Sequence, residues 1–289
     1  MNKEKTQVIT DEFVEKRKID EQSVLLSPEE VNKELIKKLK KSKIKIVEII
    51  AKSSNNYILK KSDNAYTYEK IKKVAKQIKW NGFKLGIHML VGMPESTKID
   101  DYNSAKDFAK LKPKIVRIYP YQIEENKKKI EYDSVILMQI VERCKECVYV
   151  FNEKGIDEIA IGMQNVGVNN NLHIGFNDFK FAELVEDSIW YDSIVNKIKK
   201  VNAKVKEVRV TVNPKNKRNV LGNQKSNIKK LKDTYEVDVL VQEDEEIKEG
   251  KSQIEILSIY EDWINSPILV NNTNIGGFLW IKSKGEKYY

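Results

Sequence analysis

Two cysteines, two histidines and one short glycine-led loop are the groups whose types and spacing could do chemistry in this 289-residue chain. Cys144 and Cys147 form a CxxC inside the helical stretch VERCKECVYVF. Positions i and i+3 share a helix face, so both thiolates could reach one metal. No third or fourth ligand candidate lies near in sequence. The alternative is a pair of semi-buried helix cysteines acting as small hydrophobes. His88 stands mid-strand in GIHMLVG, either as a satisfied core residue or as pocket lining. His173 lies in the Asn-rich loop NVGVNNNLHIG, where a surface role is expected. Arg117 and Tyr119 alternate with Ile118 and Pro120, so they share one strand face. They either point into the mouth of a sheet or form a structural polar cluster. The loop Gly222-Asn223-Gln224-Lys225 offers backbone N–H groups and an amine, which are donors a phosphate takes.

Charge surrounds that loop. Residues 201–235 hold ten basic and two acidic side chains, a net +8. Such a surface attracts nucleic acid with a strong salt dependence. Residues 236–262 hold ten acids and two lysines, a net −8, and those acids are placed to neutralise the basic face. The whole chain carries +9, nearly all of the basic residues being lysine. With so much Asn and Ile, the lysine matches the codon bias of an AT-rich genome, and much of it is discounted as background. Two cysteines exclude a disulfide framework and a four-cysteine zinc site. No apolar run approaches the roughly 18 residues of a membrane span, and Met1–Phe13 lacks a signal-peptide core. No membrane partner and a cytoplasmic location are expected.

The elements that must position these groups follow a β/α rhythm. Residues 1–21 read as an N-terminal arm, mobile or poorly packed. Periodicity then predicts a strand at Ser23–Leu26, a helix at Pro28–Lys41 and a strand at Ile44–Ile50. A helix at Tyr68–Trp80 follows, with Thr67 as N-cap. Further along come strand Lys84–Gly92, helix Asp101–Leu111 and strand Lys114–Tyr119. Helix Ser134–Lys154, strand Glu158–Met163 and helix Phe181–Lys200 complete the series. Such alternation means a parallel sheet with right-handed crossovers, whose ligands sit at the carboxyl ends of the strands. The rhythm changes near residue 201. Strand Val205–Val212, a short helix Pro214–Val220, the loop, a helix Ser226–Tyr235 and strands Val237–Gln242 and Gln253–Ile259 make a small α+β module over 201–262. Residues 263–289 read as a docked tail.

Several stretches of the first part resemble the later part of a radical S-adenosylmethionine enzyme domain, in the group related to the elongator catalytic subunit. GFKLGIHMLVGMPEST (Gly82–Thr97) resembles GFKLGLQMMVGLPGDT, and LKPKIVRIYP (Leu111–Pro120) resembles LKPDFVRIYP. Asn32–Ile49, Ile58–Val74, IAIGMQN (Ile159–Asn165) and Phe181–Asp192 carry the rest, over about residues 22–195. The resemblance implies an incomplete parallel (β/α) barrel over 22–200. It also implies a vestigial S-adenosylmethionine pocket at Lys52, His88, Gly92, Arg117 and Gln164. The departures count against retained chemistry. The CxxxCxxC loop that holds three irons of a [4Fe–4S] cluster is absent. The Gly-Gly segment that binds the cofactor amine is absent too. The stretch usually reading GVQS is Ile50-Ala51-Lys52-Ser53 here, and Glu95 replaces a glycine in the usual GLPGDT turn, which should alter that loop.

Val212–Leu231 resembles the core of a KH RNA-binding domain. Val220-Leu221 stands for the apolar pair, Gly222-Asn223-Gln224 begins the Gly-x-x-Gly loop, and Ile228 and Leu231 follow at the expected spacing. In that family the loop clamps the nucleic-acid backbone. Here the second glycine is Lys225, whose side chain either obstructs close approach or supplies a phosphate contact. The resemblance implies RNA contacts from Lys215, Lys217, Arg218, Gly222, Asn223, Gln224, Lys225 and Lys229.

Three functions compete: a non-catalytic RNA-binding relative, with tRNA as the implied target; a fragment or subunit of an active tRNA-modifying enzyme; and a structural partner of a full-length homologue. No cofactor is expected, with S-adenosylmethionine and [4Fe–4S] entering only if the missing half is supplied elsewhere. A partial barrel also exposes a strand edge. Val8, Ile9, Phe13 and Val14, Phe278, Leu279 and Trp280, or a second copy, are expected to cover it.

Overall fold

A crossover helix returns each strand to the same end of the sheet, so alternating apolar strands and amphipathic helices build a parallel sheet. The computed structural model describes residues 18–20, 22–62, 64–121, 124–125, 128–129, 134–156, 158–162 and 179–260. Within these, residues 18–162 belong to one compact unit and 180–260 to another. Gln164, His173 and the apolar residues offered as edge cover lie outside the described residues.

The first unit holds β1 (Lys18–Asp20), β2 (Ser23–Leu26), β3 (Ile46–Lys52), β4 (Lys84–Val91), β5 (Ile115–Pro120) and β8 (Glu158–Ile161), hydrogen-bonded in that order. The two-residue strands β6 (Glu124–Glu125) and β7 (Lys128–Lys129) pair only with each other. β1 runs antiparallel to β2, so the end of the expected arm is a strand. From β2 to β8 every pairing is parallel, giving five parallel strands laid down in chain order, as in part of a (β/α) barrel. Monotonic order with right-handed crossovers puts the helices on one face. That face carries Val47, Ile49, Ile87, Met89, Val116 and Ile118, all fully buried.

The helices are α1 (Lys33–Leu39), α2 (Asn56–Lys61), α3 (Tyr68–Trp80), α4 (Lys98–Lys110) and α5 (Ser134–Glu153). α1 starts later than Pro28 because Asn32 caps it, its side chain accepting from the Leu35 N–H. α2 was not expected; Asn55 caps it in the same way. α3 has the predicted Thr67 cap and buries Ile71, Val74, Ala75 and Ile78, one apolar stripe. α4 begins at Lys98 rather than Asp101, since Thr97 and Asp100 form a reciprocal capping box.

The second unit begins with α6 (Phe179–Lys199), ahead of the change of rhythm at residue 201. β9 (Val205–Val212), a 3-10 turn, α7 (Lys217–Leu221), a second 3-10 turn and α8 (Ser226–Tyr235) follow. β10 (Asp238–Glu243) and β11 (Ser252–Ile259) complete it. The sheet order is β10-β9-β11, with β10 parallel and β11 antiparallel to β9. Val208, Val210 and Val212 of β9 meet Trp190, Ile194 and Ile198 of α6, Val220 of α7 and Leu231 of α8 in one core. Among the described residues no helix is long and apolar enough to cross a membrane.

Candidate functional site

The face of the first sheet opposite its helices carries polar groups. Strand register pairs Glu48 of β3 with Gly86 of β4, and His88 of β4 with Arg117 of β5. Glu48 reaches across Gly86, where an added Cβ would meet its Cγ at 2.5 Å. Only glycine gives the carboxylate this path. Glu48 Oε2 takes His88 Nε2 at 2.5 Å and Arg117 Nε at 2.7 Å, while Oε1 takes Arg117 Nη2 at 3.1 Å. Tyr119 Oη lies 3.3 Å from His88 Nδ1, a distance that fits donation from the phenol. Glu48, His88 and Tyr119 are all buried. Burial works against the Glu48 charge, but hydrogen bonds and charge from His88 and Arg117 outweigh it and bring the pKa to about 2. Burial pushes the His88 pKa down, so the imidazole is neutral and donates from Nε2 to the carboxylate. Arg117 and Tyr119 therefore join a structural polar cluster, and His88 is a satisfied core residue.

The other implied pocket positions sit at the carboxyl ends of the strands. The Gly92 N–H donates to Asp101 Oδ2 at 3.0 Å. Arg143 of α5 holds the same Asp101 oxygen at 2.7 Å and ties down the turn through Ser96 Oγ at 2.5 Å and the Thr97 carbonyl at 3.0 Å. Lys52 ends β3 at an irregularity of register, with φ +57°. Burial pushes its amine pKa down, and it has no ion-pair partner among the described residues. Glu95 has a left-handed backbone, with φ +60°. Its carboxylate accepts from the Tyr57 hydroxyl and pairs with Lys61 at 3.5 Å, contacts that offset the strain.

Cys144 and Cys147 are fully buried on α5. Burial raises both thiol pKa values, and Cys147 Sγ donates to the Asp101 carbonyl at 3.6 Å. Protonated, buried thiols are poor metal ligands. Among the described residues no group of three His, Cys, Asp or Glu could hold a metal ion. The donor set of this chain does not fit a three-thiolate cluster.

The loop of the second unit is built differently. Gly222 has φ +71° and ψ 167°, a region open essentially to glycine. An added Cβ would meet Ser226 Oγ at 2.5 Å and the Asn227 nitrogen at 2.9 Å. Gln224 (φ 48°) and Lys225 (φ 61°) are left-handed, a conformation that non-glycine residues adopt uncommonly. Asn227 locks the junction from within, its Nδ2 donating to the Asp187, Asn219 and Val220 carbonyls at 2.8, 3.2 and 3.3 Å.

Of the ten basic residues in 201–235, most are engaged. Lys204, Lys232, Lys217, Lys215 and Arg209 pair with Glu236, Asp238, Glu243, Glu249 and Glu255. The acids of the following segment thus do neutralise much of the basic face. Arg218 pairs with Glu183 and Asp187 of α6. Lys206 and Lys230 lie over the rings of Tyr260 and Tyr191. Lys225 and Lys229 are exposed and have no such partner among the described residues. Asp187 also accepts from the Asn223 N–H at 3.1 Å, and Glu186 accepts from Asn219 at 2.8 Å. Burial raises Glu186 to about 7 and Asp187 to about 6. Sequence reasoning missed Glu48 and these α6 acids. Gly86, an isolated glycine inside the strongest strand, was the one available signal for the first.

No family model matches the chain, and no curated protein matches it. Among solved structures, an N-terminally deleted Elp3 from the archaeon Methanocaldococcus infernus is similar at 18% identity and TM-score 0.46, covering 61% of this chain and 41% of that one. Coproporphyrinogen III oxidase from Escherichia coli, a radical SAM enzyme, is similar at 14% identity and TM-score 0.39, covering 46% and 32%. D-Psicose 3-epimerase from Clostridium cellulolyticum H10 is similar at 17% identity and TM-score 0.38, covering 78% and 84%. The chain spans less than half the length of the first two. Scores this low carry no weight for function.

Proposed function

We propose that the chain binds single-stranded RNA through the Gly222–Lys225 loop of its second unit and performs no radical chemistry on its own. One observation carries the proposal: of ten cations around the loop, Lys225 and Lys229 alone have neither a carboxylate nor a ring against their ammonium groups among the described residues. They stand four residues apart, at the head of α8 and one turn into it, so both serve one stretch of backbone. The KH-like spacing of Val220, Leu221, Ile228 and Leu231 supports the same reading. Lys215, Lys217 and Arg218 contribute less than their number implies, since carboxylates already hold them. Asn223 and Gln224 are the sources of any modest base preference. The non-catalytic half is supported by the cysteines, which are two in number and buried. It is supported further by His88, Arg117 and Gly92, whose donors are taken up within the chain.

The test is a fluorescence-anisotropy titration of the full chain with short RNAs and tRNA at several salt concentrations. Two phosphate contacts give a slope of log K against log salt of about −1.4. The double substitution Lys225→Glu, Lys229→Glu should weaken binding across sequences and flatten the slope. Equal binding by wild type and the double variant at low salt would remove the loop as an RNA site.

A further inference from the structure

Arg218 is held by α6, from outside the acidic segment that engages most of its neighbours. Its two anchors differ in kind. The Asp187 side chain is 6% exposed and takes Arg218 Nη1 at 3.1 Å with one oxygen. Its other oxygen takes the loop N–H of Asn223 at 3.1 Å. The Glu183 side chain is 47% exposed and takes Arg218 Nη2 at 2.6 Å. Arg218 also belongs to the loop through its backbone, since its carbonyl accepts from the Gly222 N–H at 2.9 Å. A guanidinium beside a loop N–H is a donor set that phosphates take. In the free protein carboxylates fill it.

The Asp187 carboxylate is held in place by burial and by its second oxygen, whose loss would leave the Asn223 N–H of the loop without its acceptor. Glu183 is free to swing into water. An exposed pair of this kind is worth only about 0.2–1 kcal/mol. Its loss is easily offset by a phosphodiester arriving at the same guanidinium edge.

We propose that Glu183 is a built-in stand-in for phosphate: it occupies the outward edge of Arg218 until an RNA phosphodiester displaces it, while Asp187 keeps Arg218 and the loop in place. The proposal rests on the loop being an RNA contact. It makes Arg218 a third phosphate ligand that is masked in the free protein, and Glu183 a positioning residue that sets its availability.

The experiment uses the full chain and the same RNA titration. Glu183→Gln should tighten binding about two- to fivefold at low salt, the worth of one exposed ion pair. The salt slope should be near about −2.1 in wild type and Glu183→Gln alike, because RNA engages Arg218 in each, against about −1.4 for the two lysines alone. The gain in affinity should vanish, and the slope fall to about −1.4, in an Arg218→Met background. The gain should vanish equally with Arg218→Lys, which keeps a cation for Asp187 should Arg218→Met fail to fold. If wild type binds, the Lys225, Lys229 double variant weakens, and Glu183→Gln leaves the affinity unchanged, the masking is overturned while the RNA site stands. A gain that persists without Arg218 also overturns it, since it then reflects net charge alone. If neither wild type nor Glu183→Gln binds RNA, the RNA site falls and the masking with it.

Discussion

Removing the Glu48 carboxylate would leave Arg117 and the buried His88 without their shared acceptor. Breaking a buried charged pair by deleting one partner costs about 3–5 kcal/mol, so Glu48→Ala should lower the urea midpoint sharply. The Arg117 side chain is 21% exposed, so water relieves part of the loss and the lower end of that range applies. The pH dependence has a definite sign. The Glu48 pKa is lowered from 4.5 to about 2, so its stabilisation is present above pH 4.5 and is lost as pH falls toward 2. His88 is held below its ordinary 6.5, so the fold resists its protonation, and stability falls as pH drops below 6.5. Acid unfolding should therefore begin below 6.5 and steepen below 4.5. Glu48→Gln should remove the steep part; an unchanged acid limb would exclude Glu48 as its origin. Arg117, Tyr119 and His88 were legible as candidates because alternation along a strand assigns faces from sequence alone. Glu48 was not, because one acid inside KIKIVEII has no local partner. Its partners are 40 and 69 residues away.

At the scale of elements, the junction of α7 and α8 depends on one backbone conformation. Gly222→Ala would add a Cβ where Ser226 Oγ and the Asn227 nitrogen already stand, at a backbone angle that side chains rarely adopt. Strain and overpacking together should cost about 2–4 kcal/mol. The drop should appear in thermal melts, and an Ala variant melting with wild type would show that the junction relaxes. The flanking elements were readable: the strand Val205–Val212 and the helix Ser226–Tyr235 fall where apolar spacing put them. Capping chemistry located Tyr68–Trp80 equally well. The start at Lys98 was missed because the box closes with Asp100, and the apolar pattern begins later. The left-handed pair Gln224 and Lys225 was illegible in kind, since neither residue type announces positive φ.

For the whole molecule, two cysteines are one short of the three thiolates that a [4Fe–4S] loop supplies. Anaerobic reconstitution with iron and sulfide should leave the chain without thiolate-to-iron absorption. Stoichiometric iron that disappears in Cys144→Ala or Cys147→Ala would overturn this. The division into a parallel β/α unit and a small α+β unit was legible from the change of rhythm. The allegiance of α6 to the second unit was not, because Trp190, Ile194 and Ile198 fit a helix packed on either neighbour.

The pairing of cations with the acids between Glu236 and Glu255 has a consequence for time as well as energy. A matched pair is a short dipole, and beyond a Debye length of about 8 Å its field is lost in salt. An unmatched ammonium reaches further. A passing polyanion therefore meets a narrower positive pole than the ten cations of 201–235 would make, at Lys225 and Lys229 with Lys206 and Lys230, instead of a broad positive wall. Encounters are turned toward that pole before contact, and fewer of them end in the wrong orientation. The acids thus trade speed of capture for a defined landing point.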